Sequence, residues 1–271
     1  MENIKKVQRI TLPSQLNTPS NNLFDYRYML AGVKKVGKTS FCAQFKNHII
    51  LECEVGNAKH LKCRYIDIGS WNAFLQVLNL LEKNQNYCDM ICVDDIPSLH
   101  SYCESFVCRN LGIDHPSELD YGKGWSSVKN ELNKGLVRLH NLKKGVIYTA
   151  HTSVVDHKDK KGKKWSRIET TCSGIADRIM DNLCHFWAVM DYDENKEREM
   201  IIQGDISIKA GHGLNEHFKT KEGKPIRSIK LGNSPQQAFI NFEKAFNNEY
   251  ANGNDSKPTV KSKKFRIKSQ T

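Results

Sequence analysis

The sequence predicts an α/β protein built on an open, mostly parallel sheet with helices on both faces. Three observations predict it. Short apolar runs alternate with amphipathic segments along most of the chain. The glycine-bearing stretch Gly32-Val33-Lys34-Lys35-Val36-Gly37-Lys38-Thr39 lies between the first apolar run and the first helical one, and a later apolar run ends in Asp94 and Asp95. Parallel strands are covered on both faces, so they read as continuous apolar runs, and their crossovers must be long enough to hold a helix.

The elements follow in order. Residues 1–22 are polar, carry Pro13 and Pro19 and the run Ser20-Asn21-Asn22, and read as an irregular arm. A strand over 26–31, the glycine loop, a helix over 39–47 and a buried strand over 48–53 give the βαβ opening of a parallel sheet. Phe74, Leu75, Val77, Leu78 and Leu81 fall at helical spacing within 71–83, and Met90-Ile91-Cys92-Val93-Asp94 is then a buried strand. Residues 126–141 repeat the helical pattern through Val128, Leu132, Leu136, Val137 and Leu139, and 145–150 form the next buried strand. From 153 to 170 the chain turns polar and lysine-rich around Gly162, as a mobile hairpin or loop would. Strands over 184–191 and 200–203 and an amphipathic helix over 235–250, opened after Ser234, complete a domain spanning 23–250. Residues 251–271, with Lys261, Lys263, Lys264, Arg266 and Lys268, read as a disordered basic tail.

A chain of 271 residues fits one large domain. Its 41 lysines and arginines against 30 acids leave a net charge of +11, which concentrates polyanions near the surface. No stretch approaches the roughly 20 apolar residues needed to cross a bilayer. The opening residues lack the apolar core of a secretory signal, so a cytoplasmic protein (host cytoplasm, if viral) with no membrane partner is expected. Cys42, Cys53 and Cys92, among nine cysteines, sit in or beside apolar runs, which favours reduced thiols. Cys88, Cys92, Cys103 and Cys108 with His100 lack paired CxxC spacing, so zinc is not expected.

GxxxxGK[ST] is a phosphate-binding pattern because its glycines let successive backbone N–H groups curl around phosphate oxygens. Gly32, Val33, Lys34, Lys35, Val36, Gly37, Lys38, Thr39 and Ser40 are therefore the expected nucleotide-binding residues. Lys38 would reach the β and γ phosphates, and Thr39 would ligate Mg²⁺ at a helix N-terminus whose dipole favours anions. Ser40 could add a phosphate bond, whereas Lys34 and Lys35 have no assigned role. Asp94, ending a buried strand, suits the Mg²⁺ shell. Glu54 and Asp95 are both candidates to orient or deprotonate the attacking water, and proximity to Asp94 favours Asp95. His151 follows a strand that ends at Ala150, where a side chain in a parallel sheet faces the ligand crevice and could sense the γ-phosphate.

These residues resemble a family, the RecA-like P-loop ATPases, and within it phage-type AAA family nucleotide-binding proteins related to RecA-like single-strand annealing proteins. The resemblance rests on the P-loop, on Asp94, and on Ile50-Leu51-Glu52-Cys53-Glu54, which is similar to a second-strand motif ending in the catalytic glutamate. It rests further on Asp120-Tyr121-Gly122-Lys123-Gly124-Trp125 before a long helix and on Tyr148-Thr149-Ala150-His151 as a sensor strand.

The resemblance implies a RecA-like fold, ATP and Mg²⁺ as ligands, Glu54 in place of Asp95 as the base, and a ring or filament of like subunits. It also implies that the loop after the sensor strand contacts single-stranded DNA. Here that loop holds Lys158, Lys160, Lys161, Lys163, Lys164, Trp165 and Arg167, cations with an aromatic residue that could stack on a base. Residues 206–211 resemble the strand whose lysine, here Lys209, reaches a neighbouring subunit's ATP, although His212 follows where relatives often carry arginine. The function expected is a Mg²⁺-dependent ATPase acting on single-stranded DNA in phage-type recombination, annealing or replication. The alternatives are a nucleotide-gated adaptor or loader without turnover and, third, a nucleotide kinase, which would want an arginine-rich lid.

Overall fold

A computed structural model describes residues 12–251; residues 1–11 of the expected arm and the expected tail beyond Ala251 lie outside the described residues. The chain runs β1 (Arg27–Gly32), α1 (Lys38–Cys42), β2 (His48–Glu52), β3 (Tyr65–Asp67), α2 (Trp71–Lys83), β4 (Met90–Asp94), α3 (Ile96–Leu111), α4 (Lys123–Asn141), β5 (Gly145–Lys158), β6 (Lys164–Thr170), α5 (Gly174–Leu183), β7 (Phe186–Tyr192), β8 (Arg198–Ile201), β9 (Gly211–His212), β10 (Ser228–Lys230) and α6 (Pro235–Phe246). The main path of the sheet is β10-β8-β7-β1-β5-β4-β2-β3, with β6 paired to β5 and β9 to β7. Pairing is parallel from β7 through β3 and antiparallel at β8, β10, β9 and β6. This is an α/β fold with a mostly parallel central sheet.

Alternation along each strand divides the core in two. Met29, Ile49, Leu51, Ile91, Val93, Val146 and Tyr148 face α2 to α5, packed with Trp71, Phe74, Leu99, Val128, Leu132 and Ile179. Their neighbours Tyr28, Leu30, Ile50, Cys92 and Ile147 face α1 and α6, packed with Phe41, Cys42, Phe242 and Phe246. Helices therefore cover both faces, and Cys92 lies on the opposite side of the sheet from Cys88 and Cys103. Ser70, Asp95, Ser173 and Ser234 cap α2, α3, α5 and α6 by accepting backbone N–H bonds, each worth about 1 kcal/mol. Among the described residues no helix is long and apolar enough to cross a membrane.

Several elements depart from expectation. The helix after the P-loop ends at Cys42 instead of reaching 47, because the chain turns through Asn47 (φ 49°) straight into β2 while Phe41 and Phe45 pack edge to face. The last helix ends at Phe246, four residues early, where Asn248 adopts a left-handed conformation (φ 63°). Residues 153–170 form an antiparallel hairpin, with β5 running through to Lys158. Within residues 206–210, where a strand was expected, Ile208 makes one isolated bridge to Ile168 of that hairpin and another to Asp205. The short edge strands β3 and β10 carry no clear sequence pattern, whereas α5 does, with Ile175, Ala176, Ile179, Met180 and Leu183 at helical spacing after the Ser173 cap. In α3 the buried positions include His100, Cys103 and Cys108, which blur the apolar period.

Candidate nucleotide site and the hairpin beside it

The register decides which residues meet. Gly32 at the end of β1 is level with His151 of β5 and Met190 of β7, and Glu52 of β2 is level with Asp94 of β4. All these strands are parallel, so their carboxyl ends form one edge, where an open α/β sheet binds ligands. A side chain at Gly32 would put its Cβ 2.6 Å from the Met190 carbonyl, so the loop can leave the sheet this closely only from glycine. Gly37 has φ 105°, a conformation that opens the turn before α1.

Asp94 is clamped. It is buried, and its two carboxylate oxygens accept bonds from two threonines: Thr39 at 2.6 Å from α1 and Thr149 from β5. Lys38, also buried, donates to the loop carbonyls of Gly32 (3.0 Å) and Val33 (3.3 Å) and lies 3.1 Å from Nδ1 of His151. Burial pushes the Lys38 ammonium below its ordinary pKa, against the pull of Asp94, Asp95 and Glu54. An ammonium has only protons to offer, so Nδ1 of His151 is the acceptor and its Nε2 carries the hydrogen. That Nε2 faces Glu54 at 3.3 Å. Lys38, His151 and Glu54 thus form one line across the strand ends.

Glu54 and Asp95 differ in kind. The peptide ahead of Glu54 is held by Tyr102, whose hydroxyl donates to the Cys53 carbonyl at 2.9 Å, and the Glu54 amide donates to the Asp94 carbonyl at 3.2 Å. Burial raises the Glu54 carboxyl, but bonds from His151 and Asn57 and the charge of Lys34, 4.0 Å away, outweigh it and hold the group below the usual glutamate value. Asp95 is buried, caps α3 through the Ser98 N–H at 3.0 Å, and has its pKa raised by burial. Lys34 thereby acquires a partner. Lys35 is exposed and left-handed (φ 64°), while Val36 is buried in the core. Ser40 bonds through its carbonyl to Gln44.

The donor set fits a hard cation. Thr39 and Asp94 offer hydroxyl and carboxylate oxygens to Mg²⁺, which prefers oxygen ligands and keeps several waters. Glu54, Asp95 and His151 bring ligand atoms within 4.8 Å of one another beside them.

The profile of the AAA_24 family, an AAA domain, matches residues 25–222, nearly three quarters of the chain. The chain belongs to this family. This AAA domain is accordingly a P-loop ATPase module, and the matched span runs from the start of β1 past β9. Among solved structures it is similar to the KaiC-like protein PH0186 from the hyperthermophilic archaeon Pyrococcus horikoshii OT3, at 14% identity and TM-score 0.44, over 79% of this chain and 88% of that one. No curated protein matches it in sequence.

The remaining expected residues of the AAA domain lie on the hairpin and beneath it. Lys158, Lys160, Lys161, Lys163 and Lys164 are exposed at its tip, where Asp159 accepts from the Lys161 and Lys163 amides at 2.8 Å and fixes the turn. Trp165 stacks on His157 across the strands, with ring centroids 5.3 Å apart, and Arg167 pairs with Glu169 at 3.6 Å. The Nε1 of Trp165 and Nε of Arg167 are buried without a hydrogen-bond partner among the described residues. Lys209 is engaged within its own chain: it meets Asp177 at 2.6 Å and Asp181 at 3.0 Å, with its ammonium 4.0 Å over the Trp187 ring. A reach into a neighbouring subunit would have to break all three interactions. Sequence reasoning missed Tyr102 and Thr149, and only Thr149, inside the sensor strand, carried a local signal.

Proposed function

We propose that the chain hydrolyses ATP with Mg²⁺ and couples the occupancy of its γ-phosphate site to binding of single-stranded DNA, in recombination, annealing or replication of the phage type. One observation carries this reading: β5 is a single strand that touches both places. Its Thr149 bonds Asp94, its His151 lies between Lys38 and Glu54, and seven residues later the same strand ends among the exposed lysines. Any shift of His151 on meeting a γ-phosphate is delivered along a continuous backbone to the hairpin.

In this reading Glu54, held below the ordinary glutamate pKa, is ionised at neutral pH and takes the proton of the attacking water. Asp95 remains a capping and electrostatic neighbour. Lys38 leaves its loop carbonyls for the phosphates, and Thr39 and Asp94 hold Mg²⁺, which neutralises phosphate charge when bound. On the hairpin the exposed lysines attract the DNA backbone, beside the ring of Trp165 that could stack on a base.

The test is ATP turnover with and without single-stranded DNA, in the wild type and in Glu54→Gln. DNA-stimulated hydrolysis that Glu54→Gln abolishes while ATP binding persists supports the reading. Negligible turnover in both proteins, with ATP bound, converts it to a nucleotide-gated adaptor, and phosphate transfer to a nucleoside makes it a kinase.

A further inference from the structure

The groups already described approach the P-loop from the β5–β4–β2 side. On the other side of β1 stand β7 and β8, and from β8 a second cation reaches the loop. Arg198 pairs with Tyr192 at the end of the β7–β8 ladder that lies on the ligand edge of the sheet. Its Nη1 is 3.4 Å from the point where a Cβ on Gly37 would stand. Its Nη2 donates to the Gly232 carbonyl at 3.0 Å, and its own carbonyl accepts from Leu231 at 2.9 Å. Both ends of this half-buried residue are therefore fixed against the 231–232 turn, and the guanidinium is delivered to the loop without a mobile tether.

The geometry points to Arg198 as a nucleotide-binding residue acting in cis on the end of the phosphate chain that is not hydrolysed. The inference rests on the P-loop reading above and adds the orientation of the ligand. Asp94, Glu54 and His151 define the γ end on the β5–β4–β2 side. A nucleotide seated on the loop amides with its γ-phosphate there extends its α-phosphate and nucleoside toward β7 and β8, where Arg198 stands. A guanidinium presents five donors in a plane, and one is committed to Gly232, so others remain for phosphate oxygens. A group that meets only the part shared by ATP and ADP stabilises ground state and transition state equally, and its removal raises KM more than it lowers kcat.

The experiment compares Arg198→Gln and Arg198→Lys with the wild type for ATP and ADP affinity, by calorimetry, alongside steady-state turnover. Gln can keep the bond to the Gly232 carbonyl without the charge, and Lys keeps the charge without the fork. Arg198→Gln is expected to weaken ATP and ADP alike by about tenfold, the scale of one charged hydrogen bond, with KM rising in step and kcat falling less than about threefold. Arg198→Lys is expected to fall between. The inference is overturned if both variants bind ATP and ADP within twofold of the wild type, or if ATP weakens while ADP does not, which would put Arg198 at the γ end. If the wild type itself binds neither nucleotide, the P-loop reading fails and this inference with it. Should Arg198→Gln not fold, the Arg198→Lys pattern decides by the same criteria.

Discussion

The two halves of β5 make the most instructive comparison in the molecule. Residues 145–150 are buried throughout and lie in the main sheet between β1 and β4, whereas residues 152–158 leave the main sheet, pair only with β6, and are half-buried or exposed. The first half is specified by packing and the second by charge and cross-strand pairs, yet they are one continuous strand with His151 at the junction. A polar group at such a junction answers to both environments, and changes on either side of it separate chemistry from binding.

The largest expected effect lies at the inner end. Lys38→Ala removes the buried cation that His151 and the loop carbonyls share and should lower kcat by at least about 10³-fold, read in a coupled ATPase assay. Glu54→Gln should cost about 10² to 10³-fold in turnover while ATP still binds. A Gln variant that turns over normally would hand the base to Asp95.

The pH profile sharpens the same choice. Glu54 is held below, and Asp95 above, the ordinary carboxylate values. If Glu54 is the base, the acid limb of kcat/KM falls below the usual glutamate range. A limb displaced upward toward neutrality identifies Asp95.

The outer half responds to salt. Replacing Lys158, Lys160, Lys161, Lys163 and Lys164 with alanine should weaken single-stranded DNA binding. The slope of log K against log salt should shrink by about 0.7 for each DNA phosphate that the hairpin no longer neutralises, measured by anisotropy across a salt series. Hydrolysis without DNA should stay close to wild type, because these side chains stand at the exposed tip. An unchanged slope removes the hairpin from the DNA interface.

The smallest effect concerns Asp95 as a cap. Asp95→Ala should lose about 1 kcal/mol of stability in denaturant unfolding, whereas Asp95→Asn keeps the bond to the Ser98 amide. Because burial raises the folded pKa of Asp95 above its unfolded value, the folded state holds the proton longer, and stability falls as pH rises from the ordinary aspartate range through that folded value. Asp95→Asn should remove that part of the pH dependence.

Much of the frame was readable before any tertiary contact. The buried strands at 90–94 and 145–150 and the helix over 71–83 follow from side-chain periodicity, which is a local property, and the P-loop follows from local backbone chemistry at Gly32 and Gly37. The sequence alone therefore determined that phosphate is gripped between a first strand and a first helix, and that Asp94 ends a buried strand. It could not determine that Thr149 closes on Asp94, that Tyr102 holds the peptide before Glu54, or that Arg198, 161 positions after Gly37, stands beside it. Those juxtapositions are set by strand order and register, which depend on how separate apolar faces pack together and leave no period in the sequence of any one segment.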